Sequence, residues 1–388
     1  MTATPVLRCD VPGSALTAVQ LHVGVGSGSE GPGERGLAHA LEHLVVRAAL
    51  GGLRVDAATT RDATTYSAVV LRADAGARAR ALLAALGELA VDRVVLDAEL
   101  ATIRQERAQR ENEVAWAVQQ ALFARLWEGS PYAHPTLGDP AVVDGLTCDR
   151  AGEYHRRWYS PARAVLVVAG AGAAPAPDVP PRASPGPTLT GSPPPRPTLT
   201  APTPTAPTPT GATPTAPTPT APTPTAVRAA AVEVRLPGRP AAHGIGLTDH
   251  PGGRDPEVRA ALACRVVRAA AGLAVTSLPV GDALATWALI SGAATCADAV
   301  RHVLSAVDRT LDLLGSRGTA DGLVSAAQIH ELRGAGDVAA VAARAARAWW
   351  DHGVPPRPGA REDAVLGTGA ADLAAELARW RRHWTGLR

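Results

Sequence analysis

The chain has 388 residues, enough for two domains of ordinary size, and 38 basic residues against 36 acidic ones leave a formal net charge of +2. So balanced a surface offers no bulk field for nucleic acid, and no nucleic-acid partner is expected. The four cysteines, Cys9, Cys148, Cys264 and Cys296, form no C-x-x-C pair and are too few for a disulfide framework, which predicts free thiols in a reducing compartment.

The first ten residues carry neither a basic segment nor a continuous apolar run, so no signal peptide is expected. Val19, Leu21, Val23 and Val25 then alternate with Gln20, His22 and Gly24, the period of a half-buried strand with His22 on its exposed polar face. A glycine-rich turn, Gly24 to Gly36, leads into a helix that carries His39 and His43, and Gly51-Gly52 ends it. Leu53 to Thr60 and Thr64 to Leu71 read as two strands around Arg61-Asp62. Ala77 to Ala90 is a predicted helix, and Asp97 to Trp127 a long second one bearing Glu99, Glu106, Glu111 and Glu113. A loop at Ser130 to Pro135, a short helix at Asp149 to Trp158 and a buried strand at Ala164 to Ala169 complete a first domain over 1–172. Strands and helices mixed without a strict βαβ rhythm predict an α+β sandwich.

From 173 to 226 proline, threonine and alanine take over, and Ala-Pro-Thr-Pro-Thr pentads run from Ala201 to Thr225. Proline at this density removes backbone donors and holds φ near its polyproline II value, so a disordered or extended linker is expected. At ~3.1 Å per residue it could reach on the order of 100 Å and need not fix the relation of its flanks. A glycosylated stalk or a ligand for proline-binding modules is the functional alternative. A second, divergent domain over 227–388 repeats the pattern more weakly: strand at Ala242 to Thr248, helix at Asp255 to Ala271, strand at Ala285 to Ile290, helix at Cys296 to Leu314. Further helices are predicted at Val338 to Trp350 and Ala370 to Leu387. Pro279 and Asp282 interrupt the stretch Ala269 to Ala297, so no membrane span is expected and a soluble cytoplasmic protein is the default.

The chemistry sits at Gly36 to Leu44. On a helix, positions i and i+4 share a face, so His39 and His43 can reach one ion with Glu42 beside them. That is the inverted H-x-x-E-H pattern, in which two imidazoles and a more distant carboxylate hold Zn2+ with one position open to water, and Glu42 takes the water's proton. The same five letters also fit two surface histidines on an amphipathic helix.

Four ordered landmarks resemble the pitrilysin, insulysin and mitochondrial processing peptidase family. They are Gly26-Ser-Gly-Ser-Glu30 with Gly36-Leu-Ala-His39; Gly51-Gly52 with Asp56-Ala-Ala-Thr59; His134-Pro-Thr-Leu-Gly138; and Tyr154 to Pro161 running into Ala164 to Gly170. The resemblance implies two related α/β-sandwich domains and a zinc endopeptidase with a peptide substrate. It places the third ligand at Glu106, seven residues after Glu99, which joins Glu42 in the catalytic set; Glu113 is the runner-up. The interval from His43 to Glu106 is shorter than the family norm, as a trimmed domain would explain. The resemblance also puts substrate against Asp56 and Ala57 and matches Arg268 to a family arginine that grips substrate. The family's tyrosine seven positions on is Val275 here, which cannot donate a hydrogen bond to a developing oxyanion. Some members divide the work between a metal-bearing subunit and a partner that keeps this arginine and tyrosine, so a homologous partner or a homodimer is implied. Processing of a small peptide precursor is one role in reach; a non-catalytic structural or substrate-binding subunit is the rival. A zinc-sensing regulator has little support, since no cysteine lies near the histidines in sequence.

Overall fold

The structure, a computed structural model, describes residues 4–51, 53–172, 227–249, 255–280, 283–334, 336–352 and 359–387. The pentad repeats and Gly52 lie outside them. The first half runs β1 (Val6–Asp10), β2 (Leu16–Val23), α1 (Leu37–Ala48), β3 (Asp56–Thr59), β4 (Thr64–Leu71), α2 (Ala75–Leu83), α3 (Arg93–Glu111), α4 (Val114–Leu126), α5 (Pro140–Asp144), α6 (Cys148–Trp158) and β5 (Ala164–Gly170). Its sheet has the order β1-β5-β2-β4-β3, with β1 parallel to β5 and every other pair antiparallel. The inward residues of β2, Leu21 and Val23, meet Leu37, Leu41 and Leu44 of α1, Leu82 of α2 and Leu100 of α3 in one core.

The second half runs β6 (Arg228–Val234), β7 (Ala242–Asp249), α7 (Pro256–Ala271), β8 (Val275–Val280), β9 (Ala283–Ser291), α8 (Cys296–Gly315), α9 (Arg317–Arg333), α10 (Val338–His352), α11 (Ala360–Gly367) and α12 (Ala370–Thr385). Its antiparallel sheet has the order β6-β7-β9-β8. The succession from β7 to α12 repeats that from β2 to α6 element for element. The fold is therefore α+β with two related sheets. Among the described residues, no helix is long and apolar enough to cross a membrane.

The two halves are interlocked through two exchanged helices, a relation that the linker itself was not expected to impose. Helix α4 leaves its own sheet and lays Val118, Leu122, Phe123 and Leu126 against β6, β7 and β9 of the other. Reciprocally, α10 lays Val338, Ala342, Ala345 and Trp349 on β1, β2 and β5. Gly244 permits the first contact: a Cβ there would stand 2.5 Å from Val118. The exchange also explains two departures from the sequence reading. The single helix expected over Asp97 to Trp127 breaks at Asn112-Glu113, because α3 buries Leu96, Leu100 and Ile103 in one core and α4 must turn to reach another. His22 is not exposed: α10 covers its face of β2, leaving it 8% accessible with hydrogen bonds to Gln20 and Thr65. Burial pushes its pKa down to about 4, so the ring is neutral at physiological pH.

Candidate metal centre

Helix α1 is launched by a tight junction. Gly36 stands at its N-cap with φ +98°, a conformation that glycine adopts without a Cβ penalty. Gly138, at φ +67°, lies so close that a Cβ on it would be 2.2 Å from Gly36 Cα. Two of the sequence landmarks are thus in contact. The buried carboxylate of Glu30 accepts from the backbone N–H groups of Gly36 (2.8 Å) and Ala38 (2.6 Å), satisfying donors that a helix start leaves orphaned. Arg107 of α3 donates to the carbonyls of Leu137 and Gly138, which ties the turn of α3 that carries Glu106 to the turn that starts α1.

That scaffold brings three predicted ligands together. His39 Nε2 lies 3.4 Å and His43 Nε2 3.5 Å from Glu106 Oε2, and one ligand atom of each residue falls within 4.8 Å of the others. Donors at zinc-ligand bond lengths in a tetrahedron stand about 3.4 Å apart, and the two edges from Glu106 to the histidines match that spacing. Hydrogen bonds from His39 and then His43 hold the Glu106 carboxyl far below the usual carboxylate range. Burial alone would lower the His43 pKa, but the carboxylates of Glu106, Glu42 and Glu99 outweigh it and the net shift is upward. Glu99 sits 3.3 Å from His43 Nδ1, the ring nitrogen facing away from Glu106, and so fixes the tautomer that leaves Nε2 free for a metal. Its place is that of a positioning group rather than of one acting on substrate.

Glu42 is 8% accessible and accepts a 2.6 Å hydrogen bond from Thr59 Oγ1. Thr59 belongs to β3, the edge strand of the first sheet, which gives the Asp56-Ala-Ala-Thr59 landmark a physical purpose. Tyr66 and Tyr159 share a buried 2.8 Å hydrogen bond, and burial followed by neighbouring groups, Glu42 among them, keeps both phenols protonated. Sequence reading assigned no role to Thr59, Tyr66 or Tyr159, because none has a diagnostic spacing from the histidines.

A cleft of about 420 Å³ opens beside Glu42, His43 and Glu99, with Leu53, Val55 and Ala57 on its far wall. Ala57 lines this cleft, whereas the neighbouring Asp56 is exposed and does not. The runner-up ligand Glu113 is not part of the cluster: α3 has already ended, and Glu113 pairs with Arg110 at the start of α4. Arg268 stands exposed in the last turn of α7, a helix packed on α8, α9, α11, α12 and β8 of its own half. Among the described residues, no hydrogen bond or ion pair joins it to the cluster.

Two histidines one helical turn apart, a glutamate from a second helix and a hydrogen-bonded glutamate between the histidines, on a two-sheet α+β scaffold, make up an inverted H-x-x-E-H arrangement of candidate metal ligands. Comparison with known proteins agrees. Residues 6–140 match the family described as Insulinase (Peptidase family M16), so this part of the chain is similar to that family. An uncharacterized zinc protease of Mycobacterium leprae is 30% identical over 176 residues, which make up 41% of this chain and 39% of that protein. The chain thus spans about two fifths of the length of that relative. In three dimensions, a protease from Helicobacter pylori superposes with a TM-score of 0.66 at 14% identity, covering 98% of this chain and 96% of that one. A peptidase M16 inactive domain from Pseudomonas fluorescens gives 0.63 at 13% identity over 98% and 94%. At such identities the likeness is one of fold.

Proposed function

We propose that the chain is a zinc-dependent endopeptidase acting on peptides or unfolded segments. The observation that carries this reading is the approach of His39 Nε2 and His43 Nε2 to a single oxygen of Glu106, at 3.4 and 3.5 Å, with Glu42 beside them. His39, His43 and Glu106 would hold the ion. When bound, zinc supplies Lewis-acid polarisation of a water and of the scissile carbonyl. Glu42, oriented by Thr59, accepts a proton from the attacking water and delivers it to the leaving amine as the C–N bond breaks. An extended peptide adds to the free edge of β3, and Leu53, Val55 and Ala57 contact its side chains.

The reading extends to a partner. With Val275 in place of the family tyrosine and Arg268 away from the cluster, transition-state charge must be met by a homologous subunit or a second copy of this chain. The four free cysteines support action in a reducing, cytoplasmic setting. The test is Glu42→Gln with zinc content and peptide cleavage measured together: cleavage falls by about 10²–10⁴-fold with the ion retained. Unchanged cleavage removes Glu42 from the mechanism, and vigorous turnover by the purified chain alone rejects the partner.

A further inference from the structure

The described residues hold one other convergence of metal-ligating side chains, far in sequence from the H-x-x-E-H helix: Glu233, His243 and Cys296. Glu233 lies on β6, the edge strand of the second sheet, directly opposite His243 on β7 in the antiparallel register. Cross-strand partners share a face of the sheet. Gly244 faces α4, so by alternation His243 points to the opposite side, where α8 begins with Cys296. One ligand atom from each of the three falls within 4.8 Å of the others. His243 Nε2 is 3.3 Å from Glu233 Oε2, close to the 3.4 and 3.5 Å of the ligand edges in the first cluster. His243 is 0% accessible, and neither ring nitrogen has a hydrogen-bond partner. Buried imidazole nitrogens are ordinarily satisfied. Arg235 engages the other carboxylate oxygen, Oε1, leaving Oε2 for the site.

We propose that Glu233, His243 and Cys296 form a second metal site, which takes a zinc-class divalent cation through Glu233 Oε2, a His243 ring nitrogen and Cys296 Sγ, with solvent as fourth ligand. A mixed oxygen, nitrogen and thiolate set suits zinc better than the hard alkaline-earth cations. The Cys296 proton passes to solvent on binding. Carboxylate and thiolate together neutralise a divalent ion, whereas the single carboxylate among His39, His43 and Glu106 leaves a net positive charge. The second site is accordingly a poor Lewis acid and a structural clip, tying the edge strand β6 to β7 and to the start of α8.

The test uses the full chain, stripped of metal and reloaded with cobalt(II). A thiolate-to-cobalt charge-transfer band is expected in the near ultraviolet, retained in His39→Ala and lost in Cys296→Ser, with bound metal falling from two equivalents to one in each variant. In the wild-type protein, zinc loading should slow alkylation of Cys296 at least tenfold, as read by peptide mass spectrometry; this arm needs no substitution. No charge-transfer band, a band that survives Cys296→Ser, or equal alkylation rates with and without zinc would overturn the assignment. Failure of the first cluster to bind would change the metal count but leave the charge-transfer band and the alkylation rates intact, because that cluster contains no thiolate.

Discussion

The two halves run through the same succession of elements but differ in what the helix after their first long strand carries. In the first half that helix, α1, presents His39, Glu42 and His43 to a carboxylate from α3. Its counterpart α7 contributes Val258, Leu262, Val266 and Val267 to a core and carries no histidine. The H-x-x-E-H cluster belongs to the first half alone and the corresponding helix of the second half serves packing, so a fold repeated twice does not imply a site repeated at the same place.

The largest effects should confirm that division. His43→Ala or Glu106→Gln removes a ligand, and metal bound at this cluster and peptide cleavage should both disappear while the circular dichroism of the fold persists; retained metal at the cluster would shift the centre elsewhere. Next comes the interlock. Trp349 of α10 is buried on the sheet of the other half, so Trp349→Ala should cost about 3–5 kcal/mol. Because each half roofs the other, thermal unfolding of the wild type should be one transition. Two well-separated calorimetric peaks would show that the exchange couples the halves only weakly.

Smaller effects probe the support around Glu42. Thr59→Val removes a hydrogen bond to a charged group, worth about 1.5–3 kcal/mol, so kcat/KM should fall roughly 10–100-fold with bound metal unchanged. The smallest concerns pH. The metal needs His43 neutral, and the surrounding carboxylates hold its pKa above the usual 6.5. As pH falls through that raised value the ion must displace a proton, and affinity measured by chelator competition should drop about tenfold per pH unit. A flat profile between pH 6 and 8 would mean that His43 is not a ligand.

The site was readable in the sequence wherever local spacing carries it. His39, Glu42 and His43 follow from helix geometry, whereas Glu106 was reached only through the family resemblance, since Glu113 has the same seven-residue offset from a preceding glutamate. Rejecting Glu113 required knowing that α3 ends at Glu111, and nothing in the charge pattern marks that break. The helix exchange was invisible for a related reason: the periodicity of α4 and α10 shows an apolar stripe but not whose sheet it meets. That is why His22 reads as solvent-facing and is buried. Strands β6 and β8 escaped notice because Arg228–Val234 is an alanine run and Val275–Val280 contains Pro279, which only an edge strand tolerates. Glu233, His243 and Cys296 share no motif and meet only through the register of β6 on β7 and the packing of α8 against them.

The crossed helices bear on how the gene can change. Since α4 and α10 grip opposite sheets, severing the backbone between 172 and 227 would leave two pieces that still clasp each other. Chain length there costs little entropy, so repeats can be gained or lost by replication slippage without disturbing the half that carries the histidine helix. Deleting everything after 226, by contrast, would bare the apolar face that Trp349 now shields, and the histidine helix would be left on an aggregation-prone stub.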